Sequence, residues 1–364
     1  MPTPIVDSHI HLFPASHLPT LAWHGPNNPL GAQHSIDEYR HAASSASPSA
    51  DPPADKYLRG FIFLETDRIS SVPEEDAENP GWKHALDEVS FLTRIALGEP
   101  TAGEGHRIVD RDLCLGIIPW APVPGGPDVL EKYMASVKER TRTDDVWSKV
   151  RGVRYLVQDK PEEVMLERGF IDSLMWLGKQ GLTFDLGVDM RSGGWTQLWE
   201  AKQMMTQVYE ELDGNESEQV TIVINHLCKP NLRLSPEEVR DHNEYLFWCD
   251  IMRDFASASK KTYMKLSGAF SELPPLEADA DFNVASTVDR LQPWTDVVFD
   301  SFGADRVMFG SDWPVCNVGG GGNDVAWNRW KEVFEGILEK RGLTEKEKEG
   351  VWGEVALKAY GIVN

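Results

Sequence analysis

The sequence predicts an α/β protein of the (β/α)8 barrel type, and three observations carry that prediction. Eight short apolar runs recur along the 364 residues, most followed by a stretch of helical periodicity. Alternating strand and helix implies parallel strands joined by right-handed crossovers. Ionisable residues stand at or near the ends of these runs, where a barrel carries its chemistry. A doubly wound open sheet is the alternative. It would normally carry a glycine-rich phosphate turn after the first strand, and HIHLFPASH (9–17) has none.

The first run is IVDSHIHL (5–12). Residues i and i+2 of a strand point the same way, so His9 and His11 are expected to project together, with Asp7 below them. GFIFLE (60–65) ends in Glu65, and CLGIIPW (114–120) follows. VRGVRYL (150–156) holds Arg154, and LTFDLGVD (182–189) holds Asp185 and Asp189. VTIVINHL (220–227) ends around His226, TYMKLSG (262–268) holds Lys265, and RVMFGSD (306–312) ends in Asp312. Helical spacing marks VLEKYMASVKER, MLERGFIDSLMWLGKQG, TQLWEAKQMMTQVYEEL and DHNEYLFWCDIMRDFASASKK between them. AWNRWKEVFEGILEKRG and TEKEKEGVWGEVALKAYG read as closing helices.

Residues 1–364 read as a single domain with a long loop insertion at about 13–57, which includes the tract ASSASPSADPPADK. A second long connection, TDRISSVPEEDAEN (66–79), is acidic. Long βα loops of a barrel are expected to cover the mouth and select substrates.

Hydrophobic residues make up 41% of the chain, enough for a large core, and the formal net charge is −22. Such a charge repels nucleic acid and anionic membrane surfaces and favours a small-molecule ligand. Cys114, Cys228, Cys249 and Cys316 form no CxxC pair, so reduced thiols in a cytoplasmic protein are expected. No basic-then-apolar leader precedes the first strand, and no run reaches the ~18 apolar residues of a membrane span. Homo-oligomerisation is left open.

Each ionisable residue in these strands is a potentially buried charge, and buried charges pair or bind something. A lone strand histidine is more often an ordinary interior residue. An HxH pair, a later histidine and a final aspartate, all at strand ends, point instead to one shared site.

DSHIHLF, INHLCKP and FGSDWPVCN resemble the amidohydrolase superfamily and, within it, the lactonase branch. VRGVRYLVQ, FDLGVDMR and YMKLSGAFSELP extend the likeness over nearly the whole chain. LETDR and GSDWPVCNVGG followed by AWNRW are most similar to fungal L-rhamnono-γ-lactonase-type proteins. The resemblance implies a distorted barrel that opens a lactone ring, with His9, His11, His226 and Asp312 at family active-site positions and Arg154 near substrate. The fourth strand offers Arg154 where two-metal members carry Lys or Glu, and the fifth offers Asp185, Gly187 and Asp189 where they carry His. One divalent ion, zinc first, or none is therefore implied.

Lactone hydrolysis needs an activated water, a stabilised oxyanion and a proton for the leaving alkoxide. Asp312 is the expected base, the alternative being a cap on the SDWP turn. His226 and Arg154 are expected to polarise the carbonyl, unless Arg154 serves only in a salt bridge to Asp185 or Glu65. His9, His11, His226 and Asp312, with Glu65 as a further oxygen donor, are the candidate metal ligands. Glu65, Asp189, Lys265 and Trp313 are the remaining candidate substrate contacts, with a paired buried lysine as the alternative for Lys265. Trp23, Trp120 and Trp195 could also face a sugar. His24 is the first-loop histidine nearest to reaching the mouth. The expected substrate is a sugar lactone such as L-rhamnono-γ-lactone. The competing functions are a metal-dependent decarboxylase of small aromatic acids and a non-catalytic barrel.

Overall fold

The structure, a computed structural model, describes residues 2–44, 56–74, 81–212 and 215–363. All eight apolar runs form strands: β1 Thr3–Ile10, β2 Lys56–Leu64, β3 Cys114–Ile118, β4 Gly152–Arg154, β5 Thr183–Leu186, β6 Thr221–Ile224, β7 Thr262–Leu266 and β8 Val307–Phe309. Every neighbouring pair is parallel, in the order β1-β2-β3 and β4-β5-β6-β7-β8. Parallel bridges join the two groups at both seams. Ile117 pairs with Val150 and Trp120 with Arg154 on one side, and Ile10 pairs with Trp313 on the other. The eight strands thus meet around a ring, with β1 and β8 as neighbours.

Helices follow the strands in the expected alternation. Ile36–Ala43 follows β1, Lys83–Leu97 follows β2, Pro127–Thr141 follows β3 and Arg168–Lys179 follows β4. Met190–Glu211, Asn243–Ala258, Val284–Phe302 and Ala326–Lys340 follow β5 to β8. Each presents an apolar stripe to the strands. In Ala326–Lys340, for example, Trp327, Trp330, Phe334 and Ile337 are buried while Glu339 and Lys340 face water. A smaller apolar cluster joins Val6, Ile62, Ile118, Val223 and Met308 to Val355–Tyr360 of the closing segment. That segment also reaches a strand charge, because the Tyr360 hydroxyl donates to Oδ2 of Asp185 at 2.5 Å.

The stretch 13–57 is more structured than a bare loop. It holds a 3₁₀ turn at Ala15–Thr20 and the helix Ile36–Ala43, whose Ser35 and Glu38 form a capping box. Mutual backbone hydrogen bonds between Phe13 and His34 hold it on the mouth. Most of the Ser/Pro/Ala tract, and 75–79 of the second long connection, lie outside the described residues. All four cysteines are free and buried. Among the described residues no helix is long and apolar enough to cross a membrane.

Candidate active site

Strand β1 carries one extra residue against β2: Asp7 pairs with Phe61 and Ile10 with Phe63. This bulge separates the roles of Asp7 and the histidines. Asp7 does not lie below them. Its carboxylate accepts from Tyr39 Oη at 3.0 Å, Trp327 Nε1 at 2.9 Å and the Ser311 backbone at 2.8 Å. It is a fully buried clamp between β1, the outer helices and the segment carrying Asp312, and burial pushes its pKa up.

His11 lines the mouth, and His9 is fully buried beside it. Their Nε2 atoms are 3.2 Å apart and lie 3.5 and 3.6 Å from Oδ1 of Asp312. Nε2 of His226 approaches the same oxygen at 3.6 Å. Three imidazoles from the first and sixth strand ends therefore meet one carboxylate from the eighth. Asp312 is held there by its backbone: its φ is 61°, and its N–H donates to the His9 carbonyl at 2.9 Å. A non-glycine residue at positive φ at such a place marks a constrained, functional geometry.

A left-handed turn aims His226. Residues His226, Leu227, Cys228 and Lys229 have φ of 53°, 54°, 61° and 47°. Such a run is unfavourable by roughly 1–2 kcal/mol per residue. Hydrogen bonds from Cys228 N to Asn225 O at 2.9 Å and from Lys229 N to His226 O at 2.8 Å hold it. With three residues per turn, i and i+3 share a side. His226 and Lys229 accordingly both line the cavity. Gly268 makes room for the imidazole, since a Cβ there would sit 2.6 Å from Nδ1 of His226.

Each imidazole is fixed from behind. Nδ1–H of His11 donates to the Glu65 carbonyl at 2.9 Å and lies 3.1 Å from that of Leu64, which leaves its Nε2 lone pair free. Nδ1 of His226 meets Ser267 Oγ at 2.8 Å. Nδ1 of His9 meets the Lys265 ammonium at 3.3 Å. Burial, reinforced by Lys265, holds His9 well below the usual imidazole range. Burial also lowers His226 to about 3, against the opposing pull of Asp312. Both are neutral near pH 7. Burial alone would raise Asp312, but His226, His11 and the Lys229 ammonium outweigh it and its pKa is lowered. The carboxylate is ionised beside the neutral imidazoles of His9 and His226, the state a general base requires.

The cavity has a volume of about 310 Å³ and opens at the C-terminal ends of the strands. His11, His226, Asp312, Arg154 and Glu65 line it. Arg154 faces the cavity, and its Nη1 lies 3.4 Å from Oε1 of Glu65. Burial raises Glu65 to about 7, although Arg154 pulls the other way.

Three expected contacts stand elsewhere. Lys265 is fully buried behind His9, bonded to Asp185 at 2.6 Å, and does not line the cavity. Asp189 caps the helix Met190–Glu211, accepting from Arg191 N at 2.8 Å and Ser192 N at 3.1 Å. Trp313 is buried against His34 and Tyr39, with Nε1 bonded to Asn323 at 2.8 Å. Of the other tryptophans only Trp23 lines this cavity; Trp120 faces a neighbouring one, and Trp195 stacks on Phe247 at the surface. Lys229 and Asn28 were not singled out from the sequence, and His24 is absent from the lining while its neighbour Trp23 is present.

The donor set suits one metal ion. A tetrahedral zinc with bonds of ~2.0–2.2 Å sets its donors ~3.3–3.6 Å apart. The triangle of His9, His11 and Asp312, with sides of 3.2, 3.5 and 3.6 Å, matches that spacing. His226 is not part of this group, although its Nε2 lies 3.6 Å from Asp312 Oδ1 and its ring centroid 4.3 Å from that of His9. Burial brings Lys265 down to about 8, opposed by Asp185.

The amidohydrolase family model matches residues 193–362. The L-rhamnono-gamma-lactonase of Scheffersomyces stipitis is 33% identical over 361 residues, covering 98% of both chains. The chain belongs to the amidohydrolase family. An L-fucono-1,5-lactonase of Burkholderia multivorans is 28% identical to this amidohydrolase over 59% of its length and 64% of the relative's. An amidohydrolase structure from Burkholderia multivorans with bound zinc superposes with a TM-score of 0.67 at 22% identity, covering 99% of each chain. That likeness speaks for the fold of this amidohydrolase.

Proposed function

We propose that this amidohydrolase hydrolyses a sugar lactone to its aldonic acid, with L-rhamnono-γ-lactone the first substrate to test. The observation that carries the reading is the meeting of His9, His11 and His226 on Asp312 Oδ1 at a cavity lined by His11, His226, Asp312 and Arg154. The full-length relative supports the choice of a sugar lactone over an aromatic acid. Its 98% coverage also supports reading residues 1–364 as one domain. Free buried thiols fit a cytoplasmic setting, where the ligand would be a free small molecule.

Asp312 takes a proton from water as the water oxygen bonds to the lactone carbonyl carbon. Negative charge gathers on the former carbonyl oxygen, where Arg154 and His226 supply donors. The bond from that carbon to the ring oxygen then breaks. Asp312 returns its proton to the departing alkoxide, so the carboxylate is regenerated. His9, His11 and Asp312 would hold a divalent ion, which supplies Lewis-acid polarisation and a lower water pKa when bound.

The test is acid release from a panel of aldonolactones in weak buffer, followed with a pH dye. Release from L-rhamnono-γ-lactone supports the proposal. Absence of release from every lactone, with carbon dioxide evolved from a dihydroxybenzoate, would replace it with decarboxylation.

A further inference from the structure

A second chamber of about 300 Å³ adjoins the catalytic cavity. The loops that follow β2, β3 and β4 build it, and Asp67 and Leu156 line both spaces. Each volume stands at the lower end of the ~300–1,000 Å³ of small-molecule sites, room for one ring rather than two. The shared residues place the two spaces side by side.

The lining is mixed in a particular way. Trp120 and Tyr155 supply aromatic rings, their centroids 6.3 Å apart. Ser70 supplies a hydroxyl, and Lys160 an ammonium 5.8 Å from the Tyr155 centroid. Asp67 supplies a carboxylate at the junction. A hydroxylated ring needs this combination, with apolar faces to stack on and donors and acceptors for its rim. Asp67 is built in firmly: its φ is 54°, its N–H donates to Glu65 Oε2 at 2.5 Å, and its carbonyl accepts from Ala22 N at 2.9 Å. A residue outside the favoured backbone regions, tied to a cavity-lining acid, is what a recognition point between two subsites requires.

We infer that this chamber is a subsite for a second sugar ring, so that the enzyme accepts lactones bearing a glycosyl substituent as well as simple aldonolactones. The inference rests on the lactonase reading. The lactone ring lies against Asp312 and is hydrolysed as above, while the glycosidic bond is untouched and the second ring only binds.

Two sugar acids that differ by one ring test this without turnover. Calorimetric titration of the purified protein with gluconate and with lactobionate, its galactosyl derivative, reads the second ring directly. Lactobionate is expected to bind at least tenfold more tightly, and Ser70→Trp, which fills the chamber, to bring the two within twofold. Ser71→Phe provides the same readout if Ser70→Trp does not fold. Equal binding of both acids to the wild type, or an undiminished ratio in a folded filled variant, overturns the subsite. L-rhamnono-γ-lactone hydrolysis by the same preparation reports on the lactonase reading separately. Loss of that activity with the binding ratio intact would fault the chemistry and leave the subsite standing.

Discussion

Nζ of Lys265 lies 3.3 Å from Nδ1 of His9 and donates to Oδ1 of Asp185 at 2.6 Å. Tyr360 holds the other oxygen of Asp185, so a fully buried chain runs from the closing segment to the imidazole. Lys265→Met would leave the Asp185 carboxylate buried beside Tyr360 alone. Breaking one partner of such a pair costs about 3–5 kcal/mol, whereas replacing both with apolar groups is often neutral. Urea unfolding should show that loss in the single variant and recovery of most of it in Lys265→Met/Asp185→Leu. The double variant should still have a reduced kcat, because His9 has lost the partner that orients it.

Gly268→Ala tests the fit of His226. The added Cβ meets the imidazole at 2.6 Å, and φ at this position is +66°. The backbone term alone costs about 1–2 kcal/mol. Displacement of the ring should lower kcat tenfold or more while the protein stays folded by circular dichroism. An unchanged kcat would show that His226 need not hold this position.

Glu65 makes stability depend on pH. Burial raises it from 4.5 to about 7 in the folded protein. The native state binds this proton more tightly than the unfolded chain. Its contribution is therefore complete below the ordinary carboxylate pKa and is lost as pH rises through about 7. The slope approaches roughly 1.4 kcal/mol per pH unit between the two values. Glu65→Gln should flatten it, gaining on the wild type as pH rises from acid to neutral. Unfolding free energies across that range decide the point.

Metal content tests the ligand triangle. Protein loaded with zinc and then dialysed should retain about one equivalent, and either His11→Ala or His9→Ala should lose it. His226→Ala should retain more than these two, since His226 lies outside the group that can share one ion. Elemental analysis reads this with no reference to turnover.

Much of this site was legible in the sequence, for physical reasons. Strands end where a barrel opens, so ionisable residues at strand ends converge whatever their spacing along the chain. His9, His11, His226 and Asp312 obey that rule. Arg154 also faces the cavity as anticipated. The failures have specific causes. Alternation says that Lys265 is inside the barrel, but only the fold, which sets β5 one strand away from β7 across β6, shows that Asp185 claims it. Asp189 lies three residues beyond its strand and turns its carboxylate to the next helix N-terminus. Lys229 was hidden because four non-glycine residues in a left-handed turn leave no local signal. Trp23 and Asn28 reach the cavity through contacts such as Phe13 with His34, which pattern alone does not encode.

The proposed role of Asp312 in the proton transfers of lactone opening is read from the kcat of Asp312→Asn on L-rhamnono-γ-lactone. A fall of about 10²–10⁴-fold is expected with thermal unfolding close to wild type, the loss that follows removal of a positioned base. A folded Asp312→Asn protein that turns over the lactone at the wild-type rate would contradict it.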